Sequence, residues 1–397
     1  MVQANALHGR KSIVPNLVDI VEMAEALESK AVFVAPERCV AVRNRHSSCK
    51  KCSEACPVGA VSVGNNVVSI DAGACMACGA CTTVCPTEAL IPLEPLDEDL
   101  ASAIADATLA ADGLSVFACA RMAARRQGDP DRYATVPCLA RMEESVLLAL
   151  VARGVQDVVL VDGNCATCKH RGCVPGIEAT VESANALLAA QGSEVRVRRA
   201  SAFPEEVLVQ DAHKSYAAAR RGFFTQAGST AKSAAKTAAE KTVAKALNDV
   251  GQKKPTLREC LRMSEGALPQ FNPERRMRVL DSLDALGQSV VPALDTRLFG
   301  SVDIDLDQCS SCFMCTVFCP TGALVKSEEP PEDGTGTLLE FSAADCVQCN
   351  LCADACLKKC LTVSRTVSTD ELFDFEPRLI HLPEPPKRPG ILSRGKR

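Results

Sequence analysis

Residues 75–86 read C-M-A-C-G-A-C-T-T-V-C-P, and this run constrains the whole chain. Its C-x2-C-x2-C-x3-C-P spacing lets three thiolates, Cys75, Cys78 and Cys81, converge on three irons of one [4Fe-4S] cube. The fourth, Cys85, then reaches across to a second cube, and Pro86 turns the chain away behind it. Structural zinc sites use C-x2-C pairs at other spacings and need no trailing Pro. The chain carries four versions of the run. One-electron chemistry is therefore the first expectation.

At 397 residues the chain is too long for one core and points to roughly two to four units. It holds 23 cysteines, an odd number gathered into ligand-spaced runs, so thiolate ligation is expected rather than a disulfide framework. Trp is absent and aromatics are only 4%, which suits small cores filled by clusters. The N-terminal residues contain no apolar signal segment and no twin-Arg pair. No stretch approaches 18 uninterrupted apolar residues, so no transmembrane segment is expected. The expected compartment is the reducing cytoplasm. A net charge of −5 is too mild to name a partner, and no groove-reading motif points to nucleic acid.

Residues 1–35 read as a mixed, partly helical N-terminal arm, with a loose stripe of Val18, Ile20, Val21, Met23, Ala24 and Leu27. Next, Cys49, Cys52, Cys56 and Pro57 give C-x2-C-x3-C-P without its first ligand. Cys39, ten residues upstream, is the natural substitute. Cross-over ligation then assigns Cys39, Cys49, Cys52 and Cys85 to one cube, and Cys56, Cys75, Cys78 and Cys81 to the other. Between the runs, V-S-V-G-N-N-V-V-S-I predicts a β-hairpin turning at Gly64-Asn65-Asn66. Run, hairpin and run together resemble the two-cluster bacterial ferredoxin fold, over residues 36–95.

The pattern changes over residues 96–205. A helix is expected up to about residue 111. Short apolar runs at 114–117, 134–137 and 155–161 end at Cys119, Cys138 and Cys165. Helices are expected at 143–153 and 177–191, and a last strand at 194–198. Strands alternating with helices predict a parallel sheet covered on its faces, with ligands beyond the strands' carboxyl ends. Three strand ends carry a Cys, and Cys168 and Cys173 follow in the same loop. These residues predict a fifth metal site held by Cys119, Cys138, Cys165 and either Cys168 or Cys173. His170 is the poorer candidate and reads as an exposed loop residue. The plainer alternative leaves Cys119 and Cys138 as buried small apolar side chains. V-P-C-L-A-R-M, an apolar strand and D-G-N-C-A-T-C-K-H resemble the delta, iron-sulfur subunit of methyl-viologen-reducing hydrogenases. That resemblance implies a [2Fe-2S] cluster, against zinc as the other candidate, and electron transfer between a hydrogenase and heterodisulfide reductase. The family has a C-x2-C at the first strand end, where this chain has Cys119 followed by Ala120, Arg121 and Met122.

Residues 206–297 read as a helical, basic linker containing Cys260. Lys232, Lys236, Lys241 and Lys245 form a basic face over 229–250, and Arg258, Arg262, Arg275, Arg276 and Arg278 extend the positive bias. This segment is read as a solvated linker, or as a docking surface for an acidic partner; membrane-surface binding is the weaker third reading, since its Ala face offers little apolar area to insert. A second ferredoxin-like domain follows over 298–366. Cys309, Cys312, Cys315 and Cys319 repeat the run, as do Cys346, Cys349, Cys352 and Cys356, with Leu357 replacing the Pro. Cross-over assigns Cys309, Cys312, Cys315 and Cys356 to one cube and Cys319, Cys346, Cys349 and Cys352 to the other. Cys360 is the alternative to Cys356. The Pro-rich tail, 367–397, is expected to be extended along a partner or disordered.

The expected fold is therefore α+β multidomain: two ferredoxin-like modules, each with two [4Fe-4S] clusters, flanking a parallel α/β domain, with a helical linker. The expected role is an electron-transfer subunit of an anaerobic oxidoreductase complex, itself non-catalytic. It would relay electrons between a hydrogenase, formate dehydrogenase or other dehydrogenase and a heterodisulfide-reductase-like partner. Two alternatives stand beside it: a stand-alone flavin- or metal-dependent reductase, and a cluster scaffold or delivery protein. No G-x-G-x-x-G follows any of the strands, which argues against dinucleotide binding.

Overall fold

In the computed structural model, which describes residues 31–209, 268 and 270–385, the middle of the chain forms the expected parallel sheet. Its strands are β5 (Leu114–Cys119), β6 (Ala134–Val136), β7 (Asp157–Val161) and β8 (Val197–Ala200), in the order β6-β5-β7-β8. All three pairings are parallel, with Val116 opposite Val159 and Val159 opposite Arg198. Val158 to Val161 are fully buried, as expected for a strand covered on both faces. The cover comes from α1 (Asp97–Ala110), α2 (Glu144–Ala152) and α3 (Val174–Ala190). Three acidic residues open α1, where they complement the positive end of the helix dipole.

The first cluster module lies before this sheet. β2 (Val61–Gly64) and β3 (Val67–Ile70) form the hairpin, and Asn65 and Asn66 turn it with φ of 52° and 59°, the left-handed pair that a tight two-residue turn demands. β1 (Val32–Val34) pairs with β4 (Leu90–Pro92), so residues read as the end of the arm already belong to the module's sheet.

The second module pairs β10 (Ser301–Ile304) with β13 (Leu361–Ser364), and β9 (Ala293–Asp295) with β14 (Thr366–Ser368). A third sheet runs β11 (Leu324–Lys326), β12 (Thr337–Phe341), β15 (Arg378–Leu382). β15 corrects the expectation for the tail. R-L-I-H-L alternates, and Ile380 sits opposite the fully buried Leu339, so the segment gains apolar burial on its own module.

A helix, α4 (Glu274–Leu286), lies among the three modules. Its first N–H groups, those of Glu274 and Arg275, donate to the carboxylate of Glu88 at 3.1 and 2.9 Å. A residue nearly 190 positions away thus satisfies the orphan donors of the helix start. The stripe at 18–27, the basic face at 229–250, Arg258, Cys260, Arg262, Pro386 and Pro389 lie outside the described residues. Among the described residues no helix is long and apolar enough to cross a membrane.

Candidate metal centres

Three of the four cysteine runs share one backbone device. In each full run the residue before the central Cys and the residue after it are left-handed: Ala77 and Gly79, Ser311 and Phe313, Gln348 and Asn350. Left-handed residues alternating with ordinary ones turn successive N–H groups inward and form an anion-binding concavity. Five of the six are not glycine, so each costs strain that a bound group must offset. The Cys49–Cys52 run departs from this, with Lys50 at φ −131°, as its missing first ligand implies.

The cross-over sets are brought together in space. Cys39, Cys49, Cys52 and Cys85 (set A) line one small cavity floored by Val63, Val68 and Leu90. Cys319, Cys346, Cys349 and Cys352 (set C) line the matching cavity in the second module. Cys81 has Cys78, Cys75 and Cys56 as its charged neighbours (set B), with Cys52 of set A also within electrostatic reach. Cys315 neighbours Cys312 and Cys309, the other run members of set D; Cys356, its fourth member, reaches this group through Cys360. Cys360 lies 3.5 Å from Cys356, sulfur to sulfur, and also touches Cys309. Set D therefore has a spare thiol.

These residues fit an iron-sulfur cluster. Every described cysteine is a free thiol. Burial pushes Cys52 and Cys315 up to about 12 and Cys346 up to about 11, a cost that metal ligation removes by deprotonating the thiol outright. Donors are ready for the thiolates. The Ala60 N–H donates to Cys56 Sγ and the Ala89 N–H to Cys85 Sγ, both at 3.2 Å. The Thr hydroxyl of each Cys-Pro-Thr sequence lies beside its sulfur, Thr87 at 3.8 Å and Thr321 at 3.9 Å. Such contacts to sulfur help set a cluster's potential.

In the α/β domain, Cys119, Cys138, Cys165 and Cys168 line one cavity of about 540 Å³ beyond the carboxyl ends of β5, β6 and β7. Arg121 braces its rim, donating to Asn164 O and Thr167 Oγ1 at 2.9 Å each. Cys173 lies elsewhere. Its thiol lies beside those of Cys138 and Cys78, and the Cys78 Sγ, Cys173 Sγ and His170 ring lie within 4.8 Å of one another. That contact pulls Cys78 down to about 6. Of the two thiols left open by the spacing, Cys168 faces the cavity and Cys173 links it to set B. His170 is not exposed but buried, with its Nδ1 unpartnered and its pKa lowered by desolvation.

Arg275 and Arg276 correct the reading of a solvated basic face. Arg275 donates to Thr82 O at 2.7 Å and Cys85 O at 3.1 Å, and pairs with Glu143 at 2.9 Å. Arg276 is 8% exposed and donates to Cys346 O at 2.9 Å. No local pattern marks these two as buried, because what surrounds them comes from both cluster modules.

The 4Fe-4S dicluster domain family matches residues 47–89 and 308–360. The chain is 48% identical over 42 residues to a protein of Methanosarcina acetivorans named as part of an ion-translocating oxidoreductase complex, covering 11% of this chain and 16% of that protein. It is 40% identical over 58 residues to a ferredoxin of Mycolicibacterium smegmatis, covering 15% of this chain and 50% of that one. It thus spans no more than half of either. Against ferredoxin 7Fe of Hydrogenibacillus schlegelii it is 34% identical over 58 residues and covers 68% of that protein. The chain carries 4Fe-4S dicluster domains on two separate stretches and belongs to the ferredoxin family of iron-sulfur electron-transfer proteins.

Proposed function

We propose that the chain relays electrons through four [4Fe-4S] clusters and a fifth, cavity-bound centre, as a subunit of a larger oxidoreductase complex. The observation that carries this is the succession of cysteine sets. The cavity thiols meet set B through Cys138, Cys173 and Cys78. Set B meets set A through Cys81 and Cys52. Set A meets set C through Cys49 and Cys349, and set C meets set D through Cys352 and Cys315. Sets B, A and C each have one neighbour on either side within electrostatic reach, with the cavity thiols and set D at the ends, an order that suits a wire.

The clusters supply the one-electron chemistry when bound, and the chain's own residues supply position, burial and hydrogen bonds to sulfur. The ligand sets are A to D for the cubes, and Cys119, Cys138, Cys165 and Cys168 for the middle centre. Four thiols converging beyond a parallel sheet suit a [2Fe-2S] cluster better than a flavin. The Methanosarcina relative is named as part of an oxidoreductase complex. By that likeness, and by the resemblance of the α/β domain to a hydrogenase delta subunit, the donor is a hydrogenase or other dehydrogenase and the acceptor a reductase of the heterodisulfide type. So many free thiols suit a reducing compartment, the cytoplasm.

Iron and acid-labile sulfide per chain, measured on anaerobically purified protein with EPR of the reduced form, test the reading. About eighteen irons with a [2Fe-2S]-type signal support the five-centre relay. About sixteen irons limit it to the cubes and leave the middle cysteines structural or zinc-bound. Clusters that leave the chain on mixing with an apo-acceptor would replace the relay with a delivery protein.

A further inference from the structure

Two cations that make no ion pair among the described residues, Arg276 buried and Lys51 half-buried, lie at the junction of set A and set C. Between set A and set C, Arg276 donates to Cys346 O at 2.9 Å, its guanidinium lies 4.9 Å from the Phe299 ring centroid, and its Nε has no partner. Lys51, on the first module, donates its Nζ to Gln348 O on the second at 3.2 Å, with Cys49, Cys349 and Cys85 as the thiols nearest its charge. Arg43 reaches the same junction, donating to Cys319 O at 3.5 Å. Around set B and set D the pattern differs: Arg141, buried against Gly79 of the set B loop, is matched by Asp97, and Lys326 lies over the Phe313 ring of the set D loop from an exposed position.

Arg275, next to Arg276, is matched by Glu88 and Glu143. Among the described residues neither Arg276 nor Lys51 makes an ion pair with a carboxylate; the Glu88 carboxylate, paired with Arg275, acts on Arg276 only at longer range. A buried cation without a counter-charge is strongly unfavourable. A cube held by four thiolates is an anion whose negative charge grows by one on reduction, and net charge is among the factors that set its potential. Each cation favours the reduced form of both neighbouring cubes, and the low dielectric of the junction strengthens the effect.

On the four-cube reading above, we propose that Arg276 and Lys51 are shared counter-ions of the clusters in set A and set C, and make this central pair the most readily reduced of the four. With clusters bound, one electron passing from set B to set A would oxidise the first cluster and reduce the second; its onward transfer to set C would free set A for a second electron, once the donor dehydrogenase had reduced set B again. Two electrons then rest at the module junction, where the cations between the clusters reduce their mutual repulsion. The relay has a store in the middle rather than a uniform slope.

The test is an EPR-monitored redox titration of the full chain with clusters loaded, iron content being measured for every variant. Cys49→Ser and Cys349→Ser assign the two central signals. In the wild type the set A and set C clusters should titrate at higher potential than those of set B and set D. Arg276→Gln and Lys51→Gln should each lower both central midpoints and leave the outer two in place. Arg276→Lys should restore most of the shift. Arg297→Gln, which removes a partner of Glu144, should move none of the four. The inference is overturned if the central clusters titrate at or below the outer ones in the wild type. It is also overturned if both neutral variants leave the midpoints unmoved with iron content intact. Should Arg276→Gln lose iron, Lys51→Gln decides alone, and unmoved midpoints there overturn the proposal. Fewer irons than four cubes require in the wild type would instead remove the relay reading on which this rests.

Discussion

Gly79 sits against Arg141. A Cβ at Gly79 would lie 2.8 Å from Arg141 Cδ and 3.1 Å from its Cα, and Gly79 has φ +78°. Arg141 belongs to the α/β domain, is 1% exposed and pairs with Asp97, so it cannot move aside. The loop of set B therefore packs directly on the neighbouring domain. Gly79→Ala should cost about 2–4 kcal/mol, combining left-handed strain with overpacking. Gly59→Ala, at φ +65° with open space around it, should cost only about 1–2 kcal/mol. Anaerobic denaturant unfolding of the two variants measures the difference, and equal losses would show that the contact does not matter.

Cys78→Ala should remove or convert the cube of set B and leave the set C and set D signals intact. The second module keeps its own cavity and its own left-handed loops, so nothing in it depends on Cys78. Iron analysis and EPR would record the change. Loss of all four cubes would show that the modules do not hold their clusters independently.

The spare thiol of set D gives a sharper prediction. Cys356 and Cys360 are 3.5 Å apart and Cys309 lies beside Cys360, so either would serve as the fourth ligand of set D. Cys356→Ser and Cys360→Ser should each retain the cluster, with a shifted spectrum only for the former. The double variant should lose about four irons per chain. Loss of the cluster in Cys356→Ser alone would remove Cys360 as a substitute.

In the middle domain, Cys138→Ala should abolish any non-cubane EPR signal, since Cys138 lines the cavity with Cys119, Cys165 and Cys168. Cys173→Ser should keep that signal and perturb the set B cube instead, because its thiol contacts Cys78. An unchanged spectrum in Cys138→Ala would end the fifth-centre hypothesis. A lost non-cubane signal in Cys173→Ser would make Cys173 a ligand.

The sequence by itself determined the local features: the cluster loops, the hairpin at Asn65-Asn66 and the parallel sheet with cysteines at its strand ends. Spacing and alternation are short-range properties, and thiolate geometry and strand period act over a few residues. Cys39 could be paired with Cys49 and Cys52 because a gap in a known spacing has few candidates to fill it. Only the tertiary structure decided the parting of Cys168 from Cys173, the return of β15 onto β12 and the burial of Arg276. Each depends on residues distant in the chain: Lys51 on Gln348, Arg275 on Glu88, Cys173 on Cys78. A cation's surroundings are set by whatever packs around it, and in the linear chain Arg276 is only one more basic residue near a helix start.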